Sequence, residues 1–245
     1  MLKNNFTLHE HKIGKLISDD VSFIAKESIK KKAEKTIELD SKFYYVSQLM
    51  YPCFEIENKF EDFQQAYLLL SKYPKGKKYQ KNFTRENYII YHLQFYMISQ
   101  VALFDRLLHL TNFVFELGLD DLNVKYSIII NNSRVPKSCK SIIKDFDNFL
   151  SKNNIRAVQN KIKHKERLKD SKLYTASLFE WSSKIKGNLP QEDLDDMNKT
   201  AMGMYKIYIL IKRNMMKSEV EKMNNMTHKW LDSLYPEILK KYQSF

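Results

Sequence analysis

The stretch that decides the fold is residues 84–118, TRENYIIYHLQFYMISQVALFDRLLHLTNFVFELG. It carries the heaviest apolar load in the chain, and Thr84 and Gly118 are residues of the kinds that begin and end helices. Residues 87–104 hold no formal charge but include several polar side chains. Burying those groups in lipid would be costly, whereas a helix in a protein core carries no such penalty. The stretch therefore predicts the long central helix of an all-α bundle, and not a membrane span.

Most of the remaining segments also show helical periodicity. We expect further helices over residues 10–38, 57–72, 121–131, 138–150, 191–216 and 217–234. Residues 43–51 and 172–184 fit either a helix or a strand. Pro52 is expected to break the chain after the first of these, and the last helix to end before Pro236. With only five Gly and five Pro, the chain is predicted to be an all-α bundle.

The run SKYPKGKKYQKN, residues 71–82, combines Pro74 and Gly76 with five lysines. This composition is typical of an exposed basic loop. We therefore predict an N-terminal helical extension over residues 1–82 and the main helical bundle over residues 83–245.

The balance of charge favours a polyanionic partner. Lysine and arginine number 41 against 29 aspartate and glutamate, a formal net charge of +12. Such a surplus suits nucleic acid first and an anionic membrane surface second. A lysine-rich, solvated surface would give the same surplus without any such partner.

The cysteines and the N-terminal residues indicate the compartment. Cys53 and Cys139 lie far apart in the sequence and read as reduced thiols. The first twenty residues contain neither an apolar run nor a cleavage site for a secretory signal. We expect a cytoplasmic protein that makes no membrane contact.

Residues 154–167, NIRAVQNKIKHKER, carry the most chemistry. Apolar residues recur in this stretch at spacings of three and four, as on one face of an amphipathic helix: Ile155, Val158 and Ile162. Arg156, Asn160 and His164 follow one another at spacings of four, so we expect them to lie in line along one face. A cation, an amide and an imidazole in one row can hold a phosphate and move a proton.

The six residues 159–164, QNKIKH, resemble the signature of the HEPN superfamily, which is an Arg, usually a polar residue such as Asn, three variable residues and a His. Asn160 and His164 match this signature, whereas Gln159 stands at the position of the Arg. HEPN proteins are all-helical and often dimeric, and many are metal-independent ribonucleases of toxin–antitoxin and other defence systems. The resemblance implies a HEPN-like bundle and a homodimer that brings two such helices together.

Cleavage of RNA without a metal ion would give these residues separate roles. His164 would act as acid or base, Asn160 would orient it or the phosphate, and Arg156, Lys163 or Arg167 would supply positive charge. RNA contacts are expected from Gln159 and from these neighbours: Lys161, Lys163, Arg167, Asp105 and His109. Asp105 and His109 belong to a polar line on the central helix, which either faces the motif helix or is satisfied by solvent and its own surroundings. No metal ion and no cofactor is expected.

Two functions remain open. The first is RNA cleavage or RNA binding, with cleavage by a metal-independent endoribonuclease of a defence or toxin system. Its expected partners are RNA, a second copy of the chain and an antitoxin or other protein. The second is a non-catalytic helical module that binds nucleic acid or protein and has lost the motif Arg. Under the first, His164→Ala should abolish cleavage and Gln159→Arg should preserve or raise it.

Overall fold

The computed structural model describes residues 6–30, 41–74, 83–164, 168–185 and 189–245. Within these ranges the chain forms α-helices and one short 3-10 helix, Leu8–Glu10, with no strand. The α-helices are α1 Lys12–Lys30, α2 Ser41–Leu69, α3 Arg85–Val114, α4 Tyr126–Asn131, α5 Lys137–Lys152, α6 Ile155–Lys163, α7 Ser171–Ser182 and α8 Gln191–Gln243. The predicted all-α class is confirmed.

The described residues belong to two compact units. Unit 1 contains Asp62–Ser99 and Asn154–Glu221, and unit 2 contains the described part of Asn4–Glu61 together with Gln100–Asn153 and Lys222–Phe245. The helices α2, α3 and α8 contribute residues to both units. The predicted division after residue 82 borders residues 75–82, which lie outside the described residues, so that division stays a prediction.

The helix predicted over residues 84–118 forms as α3. It begins as expected, because the Thr84 hydroxyl oxygen accepts the backbone N–H of Asn87 at 3.2 Å. It ends earlier than expected, at Val114. Gly118 then adopts a φ of 71°, a conformation that glycine tolerates because it has no Cβ.

Both segments that fitted either a helix or a strand are helical. Residues 43–51 lie within α2, and residues 172–182 lie within α7. The start of α7 is capped by Asp170, whose carboxylate accepts the backbone N–H groups of Lys172 and Leu173 at 3.0 and 3.3 Å. Asparagine, aspartate and serine are the preferred residues at this capping position.

Two prolines that were expected to end helices lie inside them. Pro52 is within α2 and Pro236 within α8, so the expected breaks are wrong, as is the expected division of α8 after residue 216. An interior proline costs a helix about 3 kcal/mol. Each fully buried apolar side chain returns about 1.5–3 kcal/mol. The residues buried around these prolines are Val46, Leu49, Cys53 and Ile56 in α2 and Trp230, Leu231, Leu234 and Ile238 in α8. Packing therefore outweighs the local preference.

The core of unit 2 is built around Trp230. The ring centre of Trp230 lies 5.7 Å from that of Phe104 and 6.1 Å from that of Phe146. Its indole N–H donates to the Thr111 hydroxyl at 2.9 Å, and that hydroxyl donates to the carbonyl of Leu107 at 2.8 Å. Since Trp230, Thr111 and Leu107 are fully buried, this chain satisfies polar groups that would otherwise be costly to bury.

Aromatic residues also fill the core of unit 1. Tyr96 contacts Phe63 edge-on at 5.5 Å, and its hydroxyl donates to Glu219 at 2.9 Å. The guanidinium of Arg213 lies 4.2 Å from the ring centre of Tyr67. These contacts join α8 to residues of α2 and α3 within the unit.

The two cysteines are free and buried. Burial raises the pKa of Cys53 to about 12, and it also raises the pKa of Cys139. Neither thiol is activated as a nucleophile.

Across the described part of the chain, every helix is too short or too polar to span a bilayer.

The hydrogen bond between Trp230 and Thr111 gives a test of the unit 2 core. In Thr111→Val the shape is nearly kept but the indole N–H loses its acceptor, which should lower the free energy of unfolding by about 1–3 kcal/mol. Thr111→Ser keeps the hydroxyl and is the matched control, although it also deletes a methyl group. Urea unfolding of both variants provides the comparison, and a Val variant at least as stable as the Ser variant would contradict this role.

Candidate nucleic-acid interface

The predicted motif helix forms as α6 in unit 1, and it is short. Asn154, with a left-handed φ of 54°, precedes it, and it ends at Lys163. His164 follows directly, and its backbone N–H donates to the carbonyl of Asn160 at 3.0 Å. His164 therefore lies one turn beyond Asn160, as the spacing predicted. The side chain of Lys163 and all of Arg167 lie outside the described residues.

One face of α6 is buried. Ile155 is 2% exposed and Gln159 is 7% exposed, and these residues lie one turn apart. Val158 and Ile162 flank them and are half-buried. The predicted apolar stripe is confirmed, and Gln159 joins it.

The opposite face of α6 is open to solvent. Asn160, Lys161 and His164 are all exposed. Arg156 is half-buried, and two of its guanidinium nitrogens, Nε and one terminal nitrogen, are enclosed by protein. Of the predicted row, Asn160 and His164 thus share the solvent-facing side, whereas Arg156 is less accessible than expected. Its catalytic role stays a prediction.

The burial of Gln159 changes the interpretation of the motif. An amide is less costly to bury than a guanidinium, which carries a charge. At 7% exposure, Gln159 presents too little surface to contact RNA, contrary to what we expected. The position that holds Arg in the HEPN signature faces inward in this chain.

The segment that follows α6 is basic. Lys169 and Lys172 are exposed, and with α8 they line a cavity of about 630 Å³. Lys212 of α8 also lines this cavity, and its ammonium lies 5.3 Å from the ring centre of Tyr208. Three lysines therefore surround one concave surface, a distribution that suits phosphate groups.

The carboxylate in this cavity is held in place by the protein. Asp170 accepts a hydrogen bond from the hydroxyl of Tyr208 at 2.8 Å in addition to capping α7. The pKa of Tyr208 is raised, first by burial and then by the hydrogen bond to Asp170 and its charge. Tyr208 is thus a neutral donor that fixes the Lys169–Lys172 segment to α8.

Asp105 and His109 belong to unit 2. His109 Nδ1 lies 3.6 Å from the carboxylate of Asp121, and Asp105 is exposed. Further along the polar line, the Asn112 side chain exchanges hydrogen bonds with the backbone of Leu119. These contacts support the interpretation that the line is satisfied by its own surroundings. The expected RNA contacts of Asp105 and His109 stay predictions.

The described residues contain no group of three or more histidine, cysteine, aspartate or glutamate side chains that could hold a metal ion.

Sequence reasoning missed two features of unit 1. One is a pocket of aromatic side chains around His92. The other is a set of exposed apolar residues on α7 and α8, including Trp181 and Ile207. The density of Tyr and Phe between residues 73 and 96 was the available signal for the first.

The buried position of Gln159 predicts the result of restoring the motif Arg. Gln159→Arg should lower the free energy of unfolding by about 2 kcal/mol or more, because a charge is placed in a buried site. Asn160→Arg introduces the same side chain at the exposed neighbouring position and should change stability by less than about 0.5 kcal/mol. Chemical unfolding measures both, and equal stabilities would show that residue 159 is not buried as described.

Comparison of the chain with protein-family models, with curated proteins and with solved structures finds no match. Membership of the HEPN superfamily therefore stays a prediction that rests on residues 159–164.

Proposed function

We propose that this chain binds RNA through the solvent-facing side of α6 and the basic segment Lys169–Lys172. The observation that carries the proposal is the register of α6. Burial of Ile155 and Gln159 leaves Asn160, Lys161 and His164 exposed on the other side of the helix.

The exposed groups suit the backbone of RNA. Lysine ammonium groups attract phosphates, and the amide of Asn160 and the imidazole of His164 can donate hydrogen bonds to phosphate or sugar oxygens. The chain as a whole carries a formal net charge of +12, which favours encounter with a polyanion. Binding of this kind releases counterions and weakens as salt rises.

Neutralising two lysines of this surface tests the proposal. Lys161→Gln with Lys169→Gln should weaken binding of a labelled single-stranded RNA about tenfold at low salt, and should reduce the salt slope by roughly 1.4. The matched control is Lys144→Gln with Lys229→Gln, which removes two exposed lysines from unit 2. Fluorescence anisotropy at several salt concentrations gives both quantities.

Equal losses in the two double variants would show only a diffuse attraction to the net charge. An affinity that does not change with salt would remove the nucleic-acid proposal altogether.

A second candidate function is metal-independent RNA cleavage by a dimer. Large apolar side chains are exposed in unit 1, on α7 and α8: Tyr174, Leu178, Trp181, Ile207, Leu210 and Ile211. Such groups are a common feature of surfaces that bind another protein, here a second copy or an antitoxin-like partner. A second copy placed near His164 would exclude water and strengthen the electrostatic stabilisation that a phosphorane requires.

This candidate predicts that the wild-type protein is a dimer and cuts RNA in EDTA. His164→Ala should abolish cleavage without unfolding the chain, because the imidazole supplies the proton transfer. His9→Ala, which removes an exposed histidine of unit 2, is the control and should remain active. Trp181→Gln with Ile207→Gln should yield a monomer with reduced cleavage. If the wild type binds RNA but leaves it intact, the binding function stands and the catalytic one fails.

A further inference from the structure

Unit 1 contains a second concave site whose walls are aromatic. It is a pocket of about 320 Å³, lined by Tyr73, Pro74, Phe83, Tyr88, Tyr91 and His92. Among the ring pairs described in this pocket, Tyr88 and His92 have the shortest distance between ring centres, 4.5 Å. Tyr91 also contacts His92, at 5.3 Å. This aromatic pocket lies where α3 begins and where residues 72–74 pass beside it.

Hydrogen bonds hold the walls in position. The Tyr73 hydroxyl donates to the carbonyl of Phe83 at 2.7 Å, and the Tyr88 hydroxyl donates to the carbonyl of Lys72 at 3.1 Å. Arg85 lies with its guanidinium 4.6 Å from the ring centre of Tyr73. The pocket is thus preformed, which lowers the entropic cost of binding a ligand.

The rings leave their faces available. Every ring pair described within the pocket meets edge to face, with interplanar angles from 71° to 86°. None of these pairs is stacked, so a flat ligand could stack where the protein's own rings do not. Tyr91 is 57% exposed and Phe83 is 37% exposed, and these two offer the most accessible surface for stacking.

The titratable side chains of the pocket limit the charge of the ligand. His92 is only 7% exposed, and its Nδ1 is enclosed by protein. Burial lowers the pKa of His92 and raises the pKa values of Tyr73 and Tyr88. The negative charge of Glu180 raises the pKa of Tyr73 further, whereas the positive charge of Arg85 lowers it. The described lining residues are therefore uncharged, and the surface that they offer to a ligand is apolar.

A cationic ligand fits this pocket poorly. Aromatic cages can bind quaternary ammonium groups, but the described lining residues include no carboxylate, and Arg85 packs against one wall. A flat, neutral ring fits better, because it can stack on Tyr91 while polar atoms on its edge stay in contact with water. Nucleobases have this combination of a π-face and hydrogen-bonding edges.

We propose that the aromatic pocket binds a single unpaired nucleobase, which stacks on Tyr91 and meets the ring of Phe83 edge to face. The base could belong to a free nucleotide or to a single-stranded RNA. The site is separate from α6 in sequence and makes no use of phosphate, so it stands or falls independently of the phosphate-binding surface.

Nucleosides test the pocket because they carry no phosphate. We expect at least one of the four ribonucleosides to bind the full chain in ligand-observed NMR. Tyr91→Ala should weaken that binding about tenfold, since it removes a stacking partner, whereas Tyr91→Phe should keep most of it. Tyr44→Ala, which removes an equally exposed tyrosine of unit 2, should have no effect.

The Lys161→Gln, Lys169→Gln double variant separates this inference from the proposed function. Nucleoside binding should be unchanged in that variant, even if its RNA binding is lost. Single-stranded RNA and duplex RNA then identify the source of the base. Weaker binding of the single strand alone in Tyr91→Ala assigns the pocket to an RNA base, and unchanged RNA binding with lost nucleoside binding assigns it to a free nucleotide.

Three results would overturn the inference. They are failure of all four nucleosides to bind, nucleoside binding that is the same in Tyr91→Ala as in the wild type, and binding of choline in preference to every nucleoside.

Discussion

The candidate interface depends on the burial of Ile155 and Gln159, one helical turn apart on α6. Residues at this spacing share a face, so fixing these two side chains fixes the rotation of the whole short helix. The helix is only nine residues long and gains little stability from its backbone alone. The burial of this face therefore decides which side chains reach solvent. Asn160, Lys161 and His164 are exposed for this reason.

The fold class could be predicted from the sequence because helical periodicity is a local signal. The start of α3 at Thr84 was predictable on the same grounds, since a capping hydroxyl acts within one turn. The continuation of α2 through Pro52 was not predictable. The side chains that offset the cost of this proline are buried in the folded chain, and a local pattern does not report tertiary packing.

The candidate site was likewise predictable only in its local features. Spacing alone placed Asn160 and His164 on one face, and the structure agrees. Spacing did not reveal that Gln159 is buried, because an amide fits either a surface or a satisfied interior. The aromatic pocket also needs tertiary structure, since Tyr73 and Phe83 meet through a hydrogen bond that no sequence pattern encodes. The exposed Lys161 on α6, the exposed Lys169 and Lys172 after it and an aromatic pocket in the same unit are together suited to a single-stranded nucleic acid.

The side-chain amides of residues 159 and 160 provide the most direct measurement of the central claim, that RNA binds the solvent-facing side of α6. In a titration of ¹⁵N-labelled protein with single-stranded RNA, we expect the NMR signals of the Asn160 side-chain amide to shift and those of Gln159 to stay nearly fixed. Signals of Gln159 that shift while those of Asn160 do not, or signals that stay unchanged for both at saturating RNA, would contradict the assignment of this surface.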